Sequence, residues 1–206
     1  MSKPTFYERY FLPKLLNIAM KAPALNKVRQ ELVPMAQGKV LEIGIGSGLN
    51  LPYYDKSVHV TGVDPSVELQ VYAREVARES DIEVDFLTTS GESIPADDNS
   101  FDSVVMTWTL CTIPDPLSAL AEIKRVLKPG GNVVFAEHGA APDAHIAKWQ
   151  SRVNSTWKAL AGGCNLNRPI EALYENNGYT FSDMRQGYLP GPKIATYTYS
   201  GIARVA

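Results

Sequence analysis

The stretch Glu42-Ile43-Gly44-Ile45-Gly46-Ser47-Gly48 decides how the rest of the chain is read. It closes a short apolar run, Lys39-Val40-Leu41-Glu42-Ile43, whose composition predicts a buried strand. Glycines at alternate positions let the backbone reach positive φ and pass close to a ligand. Twenty residues past Gly44 stands Asp64, at the end of a second predicted strand, Val58-His59-Val60-Thr61-Gly62-Val63. A carboxylate at that place can accept both hydroxyls of a ribose, two oxygens facing two adjacent donors. Taken alone, the pattern is equally a tight turn beside an incidental aspartate. The sharper rival is a dinucleotide fingerprint, GxGxxG, which sets a helix N-terminus against a pyrophosphate. Here the third glycine comes one residue early, as GxGxG.

Working outward, strands and helices alternate. Val67 to Arg78 predicts a helix with Leu69, Tyr72, Ala73 and Val76 inward, and Val84 to Leu87 a third strand. Phe101 to Met106 predicts a fourth strand. Pro116 to Leu127 predicts a helix with Leu117, Leu120, Ile123 and Leu127 on one face. Lys128-Pro129-Gly130-Gly131 stops it, and Asn132 to Ala136 predicts a fifth strand. Such alternation argues for a parallel sheet with helices on both faces. From residue 139 the style changes. A helix is expected over Ala144 to Leu160 and a short one over Pro169 to Asn176. Two extended segments, Tyr179 to Leu189 and Ala195 to Arg204, flank Pro190-Gly191-Pro192 and predict a terminal antiparallel hairpin. Residues 5 to 35 read as helical, interrupted at Pro13, with Leu25, Val28 and Leu32 at helical spacing. Phe6, Tyr7, Tyr10 and Phe11 would make an aromatic lid over the cleft. The rival is an interfacial helix resting on a membrane, favoured by Arg9, Lys14 and Lys21.

Composition narrows the classes. With 206 residues, the chain is expected to be one domain over 1–206. Hydrophobic residues make up 45% and charged residues 20%, as in a globular core. A net charge of −2 with no basic cluster argues against nucleic acid as partner. Cys111 and Cys164 form no CxxC, and His59, His138 and His145 lack ligand spacing with either, so no metal and no disulfide framework are expected. The N-terminus has no apolar signal-like region and no 18 apolar residues run together. The expectation is a cytoplasmic protein without a transmembrane segment, a monomer or a homodimer.

The glycine loop and Asp64 resemble motif I of the class I S-adenosylmethionine-dependent methyltransferases, of the type 11-like branch. Thr89-Ser90-Gly91-Glu92-Ser93-Ile94-Pro95 resembles the stretch that covers the adenine in that family. Asn99-Ser100-Phe101-Asp102-Ser103-Val104-Val105 and Arg125-Val126-Leu127-Lys128-Pro129-Gly130-Gly131 resemble the approaches to its fourth and fifth strands. The resemblance covers roughly residues 38 to 138. It implies an α/β, Rossmann-like, seven-stranded sheet of order 3-2-1-4-5-7-6 with strand seven antiparallel and helices on both faces. It also implies S-adenosylmethionine as cofactor and S-adenosylhomocysteine as product. The cofactor carries no phosphate, which suits GxGxG. Carried over residue by residue, the implied cofactor contacts are Glu42, Gly44, Gly46, Gly48, Asp64, Pro65, Ser90, Gly91, Glu92 and Thr107. Many members have an aspartate where this chain has Ser90, so backbone of Ser90 to Glu92 is expected to serve there. Residues 1–36 are expected to form a helical cap over the cofactor cleft.

The acceptor pocket is expected beyond strands four and five and in a late loop. Leu110-Cys111-Thr112-Ile113-Pro114-Asp115, Glu137-His138-Gly139, Trp149, Trp157 and Gly163-Cys164-Asn165-Leu166-Asn167-Arg168 resemble bacterial relatives of the animal alkyl thiol methyltransferases. Those animal members carry an N-terminal hydrophobic anchor, expected to be missing here. The expected pocket is Tyr10, Trp108, Cys111, His138, Cys164, Asn165 and Arg168, with His138, Arg168 and Asp64 as catalytic candidates. The expected acceptor is a small thiol. N-methylation of an amine, or of a phospholipid headgroup such as phosphatidylethanolamine, is the alternative. A non-catalytic S-adenosylmethionine-binding module and a dinucleotide oxidoreductase are alternatives of other classes. Each candidate also has a plain structural reading. His138 would bond Glu137 or backbone, and Arg168 would pair with Glu171 or Asp143. Cys111 and Cys164 would be small packed residues, and the tryptophans would be core.

Overall fold

The computed structural model describes Phe6 and residues 11–206. Seven strands form one sheet: β1 Lys39–Ile43, β2 His59–Val63, β3 Val84–Leu87, β4 Phe101–Thr107, β5 Leu127–His138, β6 Tyr179–Tyr188 and β7 Tyr197–Val205. Their order is β3-β2-β1-β4-β5-β7-β6. Strands β1 to β5 pair in parallel, and β7 runs antiparallel to both β5 and β6. The expected order and the terminal hairpin are both present.

Seven helices accompany the sheet among the described residues: α1 Leu12–Ala19, α2 Pro23–Leu32, α3 Val67–Ser80, α4 Pro116–Val126, α5 Ala144–Leu160, α6 Ile170–Asn176 and the single turn α7 Lys193–Thr196. A strand covered on both faces must be apolar throughout, and β1 is buried at every position after Lys39. The period of two sorts its residues. Leu41, Ile43, Val104, Met106, Val133 and Phe135 join one core cluster, together with Leu120 and Ile123 of α4 and Tyr174 of α6. Val40, Val60, Val105, Val134 and Ala136 join the opposite cluster, together with Leu32 of α2 and Ala77 of α3.

Helix starts follow from side chains that satisfy free N–H groups. Ser66 Oγ accepts Leu69 N at the head of α3. Asp115 accepts Leu117 N and Ser118 N at the head of α4, where Pro116 has no N–H to satisfy.

Three local expectations need correction. Pro13 does not break a helix. It lies in the first turn of α1, where its fixed φ suits a start, and the break falls between Ala19 and Pro23. After the glycine loop, where no element is predicted, the chain makes a 3₁₀ turn over Leu51–Tyr53. Asn50 and Tyr54 turn inward to Glu42 on either side of that turn and keep it short. Pro129-Gly130-Gly131 does not separate α4 from the fifth strand. The stretch lies within β5 as an outward bulge, with Phe101 paired to Leu127 and Ser103 to Asn132. Trp149 and Trp157 are surface residues, 44% and 37% exposed, and not core.

Candidate active site

Loops at the carboxyl ends of parallel strands collect the ligand-facing residues in such a sheet. Here they divide into two groups. The ends of β1, β2 and β3 carry the residues expected to hold the cofactor. The ends of β4 and β5, with the loop after α5, carry those expected at the acceptor.

The three loop glycines have different physical reasons. All adopt positive φ, +72° at Gly44, +52° at Gly46 and +77° at Gly48. A Cβ on Gly44 would lie 2.1 Å from Thr109 Oγ1, so the turn after β4 can sit against the loop only because no side chain is there. A Cβ on Gly48 would lie 2.9 Å from Ala73 Cα, which seats the loop on α3. A Cβ on Gly46 would meet nothing closer than 3.8 Å. Of the three, Gly46 is therefore the one where an added Cβ would crowd no protein atom.

Asp64, at the end of β2, holds this loop. Its Oδ2 accepts Gly46 N at 2.9 Å and its Oδ1 accepts Ser66 N at 2.8 Å. Burial pushes its carboxyl above the ordinary aspartate range, against the pull of the two N–H groups. Gln70 Nε2 donates to Asp64 O at 2.8 Å and fixes the strand end. Pro65 beside it is exposed.

Glu42 is buried, and its carboxylate is bonded on both oxygens. Asn50 Nδ2 donates to its Oε1 at 2.9 Å and Tyr54 OH to its Oε2 at 2.8 Å. Burial pushes its carboxyl up to about 7, opposed by these two bonds and by the charge of Arg29. Asn50 Nδ2 also reaches Thr107 Oγ1 at 3.0 Å, which couples the loop to the end of β4. At the end of β3, Ser90 Oγ donates to Glu92 Oε2 at 2.7 Å, and Glu92 Oε1 accepts Asp115 N at 2.6 Å. A Cβ on Gly91 would meet Ile43 Cγ2 at 2.7 Å, so that loop closes directly over β1.

On the acceptor side, Glu137 is fully buried and organises the turn after β4. Its Oε1 accepts Thr109 N and Leu110 N, both at 2.9 Å, and its Oε2 accepts Cys111 N at 3.4 Å. Burial still lifts its carboxyl to about 7. Trp108, in the same turn, holds φ at +50°, a conformation that costs a bulky side chain energy. The Arg29 guanidinium lies 4.8 Å from the centre of its ring. Leu12 of α1 approaches the Gly162 position, so α1 and α2 both border this rim.

His138, Cys111 and Cys164 converge. His138 Nε2 lies 2.7 Å from Cys164 Sγ, and Cys164 Sγ lies 3.7 Å from Cys111 Sγ. The Cys111 thiol, then His138 and Trp157, act on Cys164 and hold its thiol well below the ordinary cysteine range despite burial. Cys111 is pushed up, chiefly by the same bond to Cys164. Burial disfavours the His138 imidazolium, but Cys164 and Glu137 outweigh it and hold its pKa above the ordinary value. Its Nδ1 is buried without a partner among the described residues.

Arg168 pairs with neither Glu171 nor Asp143. Its guanidinium donates to the carbonyls of Leu110 and Ile113, and so braces the turn after β4. Asn165 is likewise a staple, donating through N and Nδ2 to Cys111 O at 2.9 and 3.0 Å. Asp64 does not join this group. Sheet order puts β2 three strand spacings from β5, roughly 14 Å. That places Asp64 among the residues expected to hold the cofactor, away from His138 and Arg168. Tyr10, like Tyr7, lies outside the described residues.

Sequence reasoning passed over Arg29, Asn50, Tyr54, Thr109 and Glu137 as site residues. Arg29 had a signal, a lone cation among Leu25, Val28 and Leu32 on the inner face of a helix. The others are polar residues whose partners lie far along the chain.

Residues 41–135 match the family described as "Methyltransferase domain". The human "Thiol S-methyltransferase TMT1B" is 35% identical over 163 residues, 76% of this chain and 66% of that protein. The human "Thiol S-methyltransferase TMT1A" is 30% identical over 194 residues, 92% of this chain and 79% of that protein. A "Phosphatidylethanolamine N-methyltransferase" from Cereibacter sphaeroides is 36% identical over 124 residues, 58% and 61% of the two chains. The match thus spans just under two thirds of the TMT1B relative's length. Among solved structures, a SAM dependent methyltransferase from Aquifex aeolicus shares the fold, with a TM-score of 0.67 at 22% identity over 95% of this chain and all of that one. No helix among the described residues is long and apolar enough to cross a membrane. With its sheet order, its loop after β1 and these relatives, the chain belongs to the class I S-adenosylmethionine-dependent methyltransferases.

Proposed function

We propose that this protein transfers the methyl group of S-adenosylmethionine to the sulfur of a small thiol. The observation that carries the acceptor class is the environment of Cys164. At the end of β5, a cluster formed by Cys111, His138 and Trp157 favours a thiolate over a thiol. An ordinary thiol has a pKa near ~8.5 and is mostly protonated at neutral pH, so an acceptor placed beside the His138 imidazole and the Arg168 guanidinium would gain thiolate character there. The two thiol S-methyltransferase relatives point the same way.

The residues present fit the cofactor. Gly46 leaves its face open, and Asp64 sets a carboxylate at the strand end beside it. Gly44 to Gly48 would pass along the amino acid part, Asp64 would take the ribose hydroxyls, and the backbone of Ser90 to Glu92 would border the adenine. When bound, the cofactor supplies a methyl group already activated by its sulfonium. The protein's own task is alignment, which is worth several kcal/mol. Glu42, Asn50 and Thr107 keep the glycine loop in register with the end of β4. Glu137 and Arg168 hold the turn that carries Trp108 and Cys111. His138, which takes a positive charge more readily than an ordinary imidazole, and Arg168 favour the thiolate of the acceptor.

A panel of alkyl and aromatic thiols, amines, phenols and lipid headgroups, read by S-adenosylhomocysteine formation, tests the reading. Thiols are expected to turn over; activity on amines alone would remove it. N-methylation of phosphatidylethanolamine is the second reading, favoured by the relative from Cereibacter sphaeroides.

A further inference from the structure

Three soft donor atoms, far apart in sequence, meet beyond the end of β5. Cys111 Sγ comes from the turn after β4, His138 Nε2 from the last residue of β5, and Cys164 Sγ from the loop after α5. All three lie within 4.8 Å of one another and belong to buried side chains. We propose that they bind one thiophilic divalent cation of the zinc class, with the fourth tetrahedral position open to the sulfur of the acceptor thiol. The fourth-position part rests on the thiol reading above; the cation site does not.

The chemistry and the spacing agree. Two thiolates and an imidazole are the borderline-soft set that zinc prefers, and three protein ligands with one open position mark reactive sites more than structural ones. With Zn–S bonds of about 2.3 Å, two sulfurs on a tetrahedron lie about 3.8 Å apart. Cys111 Sγ and Cys164 Sγ are 3.7 Å apart. The corresponding N···S edge is about 3.5 Å, and His138 Nε2 stands at 2.7 Å from Cys164 Sγ. Entry of the cation therefore lengthens this edge by less than ~1 Å. Histidine and cysteine spacing along the chain argued against a metal, but that argument assumes ligands paired on one local segment. Here each donor sits on a different loop.

The frame is built to hold the set. Glu137 clamps Cys111 N, Asn165 clamps Cys111 O, and Trp157 reaches Cys164. Two thiolates cancel the charge of a divalent cation, and the nearby Arg168 then balances an arriving acceptor thiolate. The step itself is a proton loss. The S–H bond of the acceptor breaks as its sulfur binds the cation, the proton goes to solvent, and no electron changes owner. Where the cation is bound, it replaces the imidazolium as the source of positive charge.

Metal analysis of the purified wild-type protein, equilibrated with Zn²⁺ and freed of excess, tests the site without any assay of activity. About one zinc per chain is expected, with the intense visible absorption of tetrahedral thiolate-bound Co²⁺ after exchange. The variants Cys111→Ser, Cys164→Ser and His138→Ala are expected to hold roughly tenfold less or lower still. Wild-type protein that retains no zinc overturns the proposal, and so does full retention in folded Cys164→Ser. Adding ethanethiol to the Co²⁺ form is expected to strengthen the sulfur-to-cobalt charge-transfer band. An unchanged spectrum overturns the open fourth position. Thiol methylation undiminished by a chelator that has removed the zinc overturns the activating role while leaving the thiol reading intact. Zinc held by all three ligands in a protein that methylates only amines upholds the site and defeats the thiol reading.

Discussion

Alanine at each of the three loop glycines separates packing from ligand binding. All three sit at positive φ, where an alanine costs about 1–2 kcal/mol of backbone strain. At Gly46 that is the whole cost, because its Cβ meets nothing within 3.8 Å. For a chain of this size the expected fall in Tm is about 2–8 °C. At Gly44 the Cβ would lie 2.1 Å from Thr109 Oγ1 and 2.4 Å from its Cγ2. Thr109 has little room to retreat, since its N–H is held by Glu137 and its hydroxyl donates to Thr107 O at 3.1 Å. Overpacking adds about 1–3 kcal/mol, for a total of roughly 2–5 kcal/mol. Gly44→Ala is therefore expected to lower Tm clearly more than Gly46→Ala. Binding should rank in the other sense. On the proposed reading the cofactor passes close to Gly46, so Gly46→Ala, though folded, should lose at least about tenfold in S-adenosylmethionine affinity, a cost of about 1.4 kcal/mol. Differential scanning calorimetry gives the first ranking and titration calorimetry the second. A folded Gly46→Ala protein with unchanged affinity would refute that close approach. Equal destabilisation at Gly44 and Gly46 would refute the packing against Thr109.

Asp64→Ala is expected to keep the fold and lose cofactor binding; titration calorimetry showing unchanged affinity would mean that Asp64 does not take the ribose. Glu137→Ala leaves three N–H groups beneath the turn after β4 without their acceptor, at about 1–3 kcal/mol each, so urea unfolding should show a loss of at least about 3 kcal/mol. Glu42, lifted from the ordinary 4.5 to about 7, binds a proton more tightly folded than unfolded. Its contribution is therefore full below about pH 4.5 and is lost as pH rises through about 7. Glu42→Gln should gain relative to wild type between pH 5 and pH 8, by up to about 3 kcal/mol in urea midpoints analysed with a common slope. A variant that instead loses ground over that range would contradict the buried-carboxyl account.

Local pattern made most of the fold legible. Apolar runs of strand length, helical spacing of Leu120 with Ile123, and the glycine and proline stops lie within a few residues of one another, and local sterics and burial act at that range. Boundaries went astray where a distant contact ruled. The bulge at Pro129–Gly131 depends on pairing with β4, and the 3₁₀ turn after the glycine loop, for which no element is predicted, depends on Glu42 drawing in Asn50 and Tyr54. The two halves of the site differ in the same way. Gly44 to Gly48 and Asp64 are joined by one strand–loop–strand unit, so their spacing in sequence already reports their place in space.

The sequence by itself thus determined the parallel sheet and its terminal hairpin, and put the residues expected to hold the cofactor at the ends of β1 to β3. The resemblance grouped the residues expected at the acceptor, and only the tertiary structure decided what each of them touches. Arg168 was free to pair with carboxylates but donates to the carbonyls of Leu110 and Ile113. Cys164 and Cys111 were free to be mere packing residues but meet His138. Asp64, an acid beside the glycine loop, was free to serve chemistry but stands three strand spacings from β5 and His138. The physical reason is that these groups come from separate loops whose approach depends on the strand order of the sheet. No spacing along the chain encodes that order.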